Sequence, residues 1–287
     1  IMADLLKKIA DMNTPYLIAE IGINHNSDIN IAKKLIDAAC LFNWDCVKFQ
    51  KRNPNICVPE HQKGVMKDTP WGEMTYLEYK HKIEFGKKQY DYINKYCGQK
   101  PIAWTASVWD LDSLEFMLQY DVPFIKIPSA HITNLNLIKK ASESGTPLIL
   151  STGMSNWEIV DNAVNIIEKS KSKYALLHCN SSYPAPVNQL NLNNIPAMIE
   201  RYDCPIGYSG HEYDLEPSAV AVVLGATIIE RHITIDHNMW GTDHKSSIEI
   251  PAMDSLQKRL FNINKMLGSR EKNISESEKS IIKKLRF

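Results

Sequence analysis

The 287-residue sequence predicts an α/β fold, a closed (β/α)8 TIM barrel. Eight short apolar segments alternate with amphipathic ones, the rhythm of parallel strands joined by right-handed helical crossovers. Eight such units in a chain of this length suit a closed barrel better than an open doubly wound sheet. No G-x-G-x-x-G or G-x-x-x-x-G-K-[ST] follows any strand, so the phosphate loops of an open nucleotide-binding sheet are missing. No linker or repeat interrupts the rhythm. The expectation is one domain over 1–287, with barrel strands and loops over 14–250 and closing helices over 251–287.

In chain order, a short helix is expected over 3–12, ahead of a buried strand over 16–21 that ends at Glu20. Asn24, His25 and Asn26 form a polar loop, and Asp28 is placed to cap a helix over 29–42. The second strand, 46–49, carries Lys48, with Gln50 just beyond. Residues 51–75, rich in Pro, Asn and Lys, are too polar for core and too long for a simple connection, so they read as a lid or substrate loop. Helical patterning resumes through 76–96. Strands then follow over 102–106, 124–127, 147–150, 174–179, 206–209 and 227–233, with helices over 111–120, 135–144, 156–169 and 216–224 between them. Two amphipathic helices, 253–267 and 276–285, close the pattern.

Composition removes several function classes. Lys plus Arg and Asp plus Glu balance at 33 each, so no global field recruits nucleic acid or an anionic membrane, and any attraction for an anion must be local. The six cysteines are scattered without a C-x-x-C pair, which suits reduced thiols rather than a disulfide framework. No apolar run is long enough to span a bilayer and no leader is evident, so a soluble cytoplasmic chain is expected.

In a TIM barrel the C-terminal strand ends and the loops after them converge on the active site. Here those ends carry Glu20, Lys48, Gln50, Thr105, Ser107, Lys126, Ser129, His131, Ser151, Asn180, Ser209, His211 and His232. Any one could be a strand-terminus cap; a polar group at every end points to one cavity. Lys126 interrupts the apolar strand 124–127, where a buried cation is costly without a partner. Lys48 and Lys126, with hydroxyls from Thr105, Ser129, Ser151 and Ser209, suit a small ligand carrying phosphate and carboxylate. Structural pairing with Glu20 or Glu230 is the competing explanation, and a Schiff-base lysine a third. His211 and His232, at the ends of the last two strands, could hold a divalent metal or be ordinary hydrogen-bonded histidines. Mn²⁺, Co²⁺, Fe²⁺ and Zn²⁺ would all fit. Asp243, on the loop after the last strand, could add a ligand or grip a sugar hydroxyl.

These segments resemble the sialic acid synthase family: Ile18-Ala-Glu-Ile-Gly-Ile-Asn24-His-Asn26, Val47-Lys-Phe-Gln50, Phe124-Ile-Lys126-Ile, Leu150-Ser-Thr-Gly-Met154, Leu176-Leu-His-Cys179, Ser182-Tyr-Pro184, Ile206-Gly-Tyr-Ser-Gly-His211, Glu230-Arg-His232 and Gly241-Thr-Asp-His244. The resemblance implies condensation of phosphoenolpyruvate with an amino-sugar aldehyde. It puts Lys48, Thr105, Lys126, Ser129, Ser151 and Ser209 at the phosphoenolpyruvate, His211 and His232 at a Mn²⁺ ion, and Gln50, Tyr183 and Asp243 at the sugar. Glu20, Asn24, Ser107, Asn180 and Ser181 are further candidate substrate contacts. The pattern departs from the family in three respects. His131 stands where the family has a catalytic glutamate, Ser181 replaces an asparagine, and the C-terminal antifreeze-like domain has no counterpart.

The expected function is therefore a metal-dependent 3-deoxy-2-ulosonate synthase, with His131 taking over proton handling and a homo-oligomer possible. A Schiff-base pyruvate aldolase using Lys126 and a catalytically silent sugar-acid-binding barrel are the alternatives.

Overall fold

A computed structural model of the chain describes residues 5–286. Eight parallel strands, β1 (Tyr16–Gly22), β2 (Cys46–Lys51), β3 (Ala103–Val108), β4 (Ile125–Ile127), β5 (Leu148–Ser151), β6 (Tyr174–Cys179), β7 (Ile206–Gly210) and β8 (Ile228–Thr234), form a barrel closed by pairing β8 with β1. Ile248–Glu249 adds a short parallel segment outside β8. Barrel interiors are packed cores, not pores. Here Ile18, Cys46, Phe124, Ile149, Leu177 and Ile228 fill the lower barrel, and Leu6 and Ile9 of helix Leu5–Asp11 plug its base. A second cluster, including Leu35, Phe49, Leu137, Ile167 and Leu256, packs the outer helices on the strands.

Registers set the level of each polar side chain. Glu20 lies opposite both His232 and Lys48, Lys48 opposite Thr105, and Ser107 opposite both Gln50 and Lys126. Glu230 lies opposite Ser209, and Ser209 opposite Cys179. The charged groups therefore ring the C-terminal mouth above the apolar plug. Asp28 caps helix Ile29–Leu41 by accepting from the Asn30 amide.

Three expectations change. The helical run over 76–96 is two helices, Tyr76–Ile83 and Lys87–Cys97. The break has a cause: Glu84 is drawn to the end of β2, where its carboxylate meets Lys51 Nζ at 3.2 Å and the Arg52 amide at 2.9 Å, while Phe85 stacks on His25. Residues 51–75, expected as a lid or substrate loop, contain two short helices and an antiparallel hairpin, Met66–Thr69 with Gly72–Thr75. Helix Ile250–Leu267 packs on the barrel through Met253, Leu256, Leu260 and Ile263, but helix Glu276–Leu285 buries no residue and closes nothing. Helix Asn194–Arg201 was not expected; its proline and short polar start hide the periodicity. The predicted start of the first helix, before residue 5, lies outside the described residues.

Candidate active site

The strand ends converge on a cavity of about 170 Å³ lined by Glu20, Lys48, Gln50, Ser107, Trp109, Lys126, Pro128, Ser129, Ala130, Ser151, Met154, Ser181, Tyr183, Ser209, His211, Glu230 and His232. Lys48 is almost fully paired. Its ammonium lies 2.5 Å from Glu20 and 3.6 Å from Glu230, and donates to Ser107 Oγ at 2.8 Å. Burial opposes its charge, yet the two carboxylates outweigh it and hold Lys48 above the usual lysine range. Lys126 is different. It donates to Ser151 Oγ at 2.6 Å and the Ile127 carbonyl at 3.3 Å, but the nearest carboxylate oxygen, of Glu230, is 4.0 Å away. Burial therefore wins and pushes the Lys126 ammonium below its ordinary range. The Glu230 carboxyl, raised by burial, is brought below its usual value by Lys126 and Lys48, and its Oε2 is buried without a hydrogen-bond partner. An under-compensated lysine beside small hydroxyls is prepared for an anion.

The two histidines sit on adjacent strand ends with ring centroids 5.6 Å apart. His211 Nδ1 lies 2.6 Å from the Asn180 carbonyl, which can only accept, so Nδ1 carries the proton and Nε2 keeps its lone pair. The Tyr183 hydroxyl donates to that Nε2 at 2.9 Å, and the Tyr183 ring stacks on His211. Burial and His232 together push His211 down to about 3, so its imidazole is neutral, the form that ligates metals. His232 Nδ1 is buried without a hydrogen-bond partner, 4.0 Å from Asp243 Oδ2. Among the described residues no group of three or more His, Cys, Asp and Glu side chains could hold a metal unaided. The His211 Nε2 lone pair, met by the Tyr183 hydroxyl, and the orphaned His232 Nδ1 nevertheless fit a divalent ion whose remaining ligands come from substrate and solvent.

Five candidates do not line the cavity. Asn24 donates to the Ile233 carbonyl and Ser247 Oγ, tying the loop after β1 to the end of β8. Thr105 Oγ1 donates to the Phe124 carbonyl at 2.7 Å, a strand tie within the wall. The Asn180 side chain donates to the Gln189 carbonyl and faces a neighbouring cavity of about 700 Å³; its backbone serves the site through His211. Asp243 sits behind His232. For His131 the reason is local: the turn Ser129–His131 swings the imidazole against Trp109, ring centroids 5.2 Å apart, so Trp109 forms the wall there. Burial holds the His131 pKa below its usual range.

Several contributors escaped the sequence reading. Met154 and Trp109 look like ordinary core or loop residues by pattern, and Arg52 like a solvated charge. Gly153 is also silent in sequence. Its N–H donates to Ser129 Oγ at 3.0 Å, and a Cβ there would come within 2.8 Å of Cys179 Sγ and 2.9 Å of Ser129 Oγ, besides striking Ser181. Glu230, which the sequence offered as a structural partner for the lysines, lines the cavity as well and lies 3.6 Å from Lys48.

A parallel barrel whose mouth gathers lysines, hydroxyls and two imidazoles is the layout of an enzyme acting on small anionic ligands. The chain belongs to the NeuB family, whose sequence profile matches residues 35–272. It is 35% identical to the N,N'-diacetyllegionaminic acid synthase of Campylobacter jejuni, over 94% of this chain and 83% of that protein. It is 39% identical to the N-acetylneuraminate-9-phosphate synthase of Drosophila melanogaster, over 88% of this chain and 68% of the other. The crystal structure of an N-acetylneuraminic acid (sialic acid) synthetase from Leptospira borgpetersenii, in complex with citrate, superposes with a TM-score of 0.84 at 33% identity, covering 95% of this chain and 92% of that one. No helix among the described residues is long and apolar enough to cross a membrane.

Proposed function

We propose that the chain condenses phosphoenolpyruvate with an amino-sugar aldehyde, giving a sialic-acid-like 3-deoxy-2-ulosonic acid and phosphate. The observation that carries this reading is Lys126, a buried cation with its nearest carboxylate oxygen at 4.0 Å, flanked by Ser129 and Ser151. Phosphoenolpyruvate supplies the missing negative charge. Lys126 and Lys48 hold its phosphate and carboxylate, with Ser107, Ser129, Ser151 and Ser209 donating around them. C3 of the enol attacks the aldehyde carbon, and the aldehyde oxygen takes up a proton. Water adds to the cation left at C2, its proton going to solvent or a cavity carboxylate, and breaking the C2–O bond releases phosphate. Glu20 and Glu230, buried beside this position, favour the cation electrostatically.

His211 and His232 would hold a divalent ion, for which Mn²⁺ is our assignment. When bound, such an ion supplies Lewis acidity toward the aldehyde oxygen and a template for the two substrates. Gln50 and Tyr183 then orient the sugar, with Asp243 behind His232. The test is phosphate release from phosphoenolpyruvate across a panel of aldoses and amino sugars. Release that requires the aldehyde, stops with EDTA and returns with Mn²⁺ is expected; none with any aldose would sink the reading.

One observation favours a second reading. The lowered pKa of Lys126 would also suit an amine nucleophile, as in a Schiff-base pyruvate aldolase. Borohydride trapping of pyruvate on Lys126 separates the two.

A further inference from the structure

Beside the barrel cavity lies a larger one, of about 700 Å³, that the condensation leaves unused. It opens between the loop after β5 and the loop after β6, with helices Trp157–Lys169 and Asn194–Arg201 forming its far side. Its volume falls among those of small-molecule sites, about 300–1,000 Å³. The two cavities share Ser181 and Met154 as a common wall. Met154 holds a backbone conformation that favours glycine, with φ +57°, and its side chain is 68% exposed. A side-chain-bearing residue kept in that region marks functional sites more than scaffolding.

The two cavities differ in charge. Lys48, Lys126, Glu20 and Glu230 line the barrel cavity, whereas among the described residues lining the larger one none is Lys, Arg, Asp or Glu. Its imidazole, His178, has Nε2 2.7 Å from the Leu190 carbonyl, which can only accept, so that nitrogen carries a proton. Burial holds the His178 pKa below the usual histidine range.

Amides take the place of charge. Asn180 is engaged by its own loop, donating to the Gln189 carbonyl at 3.1 Å and accepting from the Ser182 amide at 2.9 Å. The side chains of Gln189 and Asn194, also in the wall, have no hydrogen-bond partner among the described residues. A carboxamide offers a donor and an acceptor side by side, the complement of a sugar hydroxyl. Trp157 adds an aromatic surface and is 40% exposed. The Arg201 guanidinium lies 5.2 Å from the Trp157 ring centre and is itself held by Asp161 at 3.0 Å, so the ring is braced from outside the lining. A braced indole, unengaged amides and no charge suit a ligand with apolar C–H faces and many hydroxyls.

We propose that this cavity is a second ligand site, one for a neutral saccharide, divided from the barrel cavity by Ser181 and Met154. The occupant is not the reacting sugar, because His211 and His232 line the barrel cavity and not this one. An anion is disfavoured, since its charge would be buried against neutral amides alone. The assignment holds whatever reaction the barrel cavity performs.

The probes are the methyl glycosides of glucose and of 2-acetamidoglucose, which have no free aldehyde and cannot serve as acceptor. Titrated into the full chain and followed by NMR, at least one should bind with a Kd of about 1 mM or below, with and without saturating phosphoenolpyruvate. Trp157→Ala should weaken that binding by about tenfold. Asn194→Ala removes no hydrogen bond of the chain and should weaken it by about two- to tenfold; melting temperatures report whether each variant is folded, and if Trp157→Ala is not, Asn194→Ala decides. Methyl glucuronide should bind about fivefold more weakly than methyl glucoside. No binding of either glycoside at about 10 mM, or binding that the folded variants leave unchanged, overturns the site. Displacement by phosphoenolpyruvate puts the sugar in the barrel cavity, and tighter binding of the glucuronide makes this an anion site; either result overturns the proposal.

Discussion

Glu230 and Arg231 are neighbours on β8, both buried and both charged, yet they point to opposite faces and live in opposite conditions. Outside the barrel, the Arg231 guanidinium meets Glu212 Oε1 at 3.0 Å, the Glu212 carbonyl at 2.6 Å, the Asp214 carbonyl at 2.9 Å and Ser218 Oγ at 3.1 Å. Tyr208 donates to the other Glu212 oxygen at 2.7 Å. Inside, Glu230 has one hydroxyl at 3.1 Å, two lysines at 3.6 and 4.0 Å, and an oxygen with no hydrogen-bond partner. The outer pair is the closer one, its ion pair at 3.0 Å with only Arg231 Nε left outside the network, whereas no ion pair of the inner carboxylate is shorter than 3.6 Å. Buried charge is structural where the chain completes the shell and functional where it leaves it open.

The largest test removes one member of the closed cluster. Arg231→Met leaves Glu212 buried and unpaired beside His211, and should cost about 3–5 kcal/mol of stability, read as a lowered urea midpoint. A loss below about 1 kcal/mol would erase the contrast between the two faces. Next comes the open cluster. Lys126→Met should lower kcat for phosphate release by roughly 10²–10³-fold. Its melting temperature should not fall, because the lysine removed is itself under-compensated. A large stability loss there would make Lys126 structural.

A smaller effect sits where the loop after β1 meets the helix break. His25, 3% exposed and stacked 3.7 Å from Phe85, is pushed by burial and Arg52 down to about 3. The unfolded chain protonates this imidazole near pH 6.5, so unfolding takes up a proton only below that pH. The contribution is therefore neutral above about 6.5 and destabilising as pH falls toward about 3, at about 1.4 kcal/mol per pH unit. His25→Phe keeps the stack and should flatten the acid limb by that slope, measured as urea midpoints against pH. An unchanged slope would place the proton uptake elsewhere. The smallest effect is expected of His131→Ala. Acting only through the Trp109 wall, it should lower turnover by less than about tenfold, or about 1.4 kcal/mol. A larger loss would return His131 to the chemistry.

The barrel was legible because strand and crossover periods differ and each strand ends in a polar residue. Lys48, Lys126, His211 and His232 were legible for the same reason: an ionisable residue at the end of an apolar strand violates the local pattern. What stayed hidden depends on contacts between distant segments. Nothing within 76–96 announces that Glu84 will be drawn to Lys51 and Arg52, or that Phe85 will stack on His25. His131 illustrates the converse. It falls at the right position in the sequence, but one tight turn aims its side chain at Trp109. Position along a strand is written locally, whereas direction out of a loop is not.

Gly153 bears on how such a cavity can change over generations. Three different chain segments bring their smallest polar groups, from Ser129, Cys179 and Ser181, to the space its absent methyl would fill. Mutational drift at this point is one-sided. Any side chain at 153 would have to displace these three groups, two of which, Ser129 and Ser181, line the cavity.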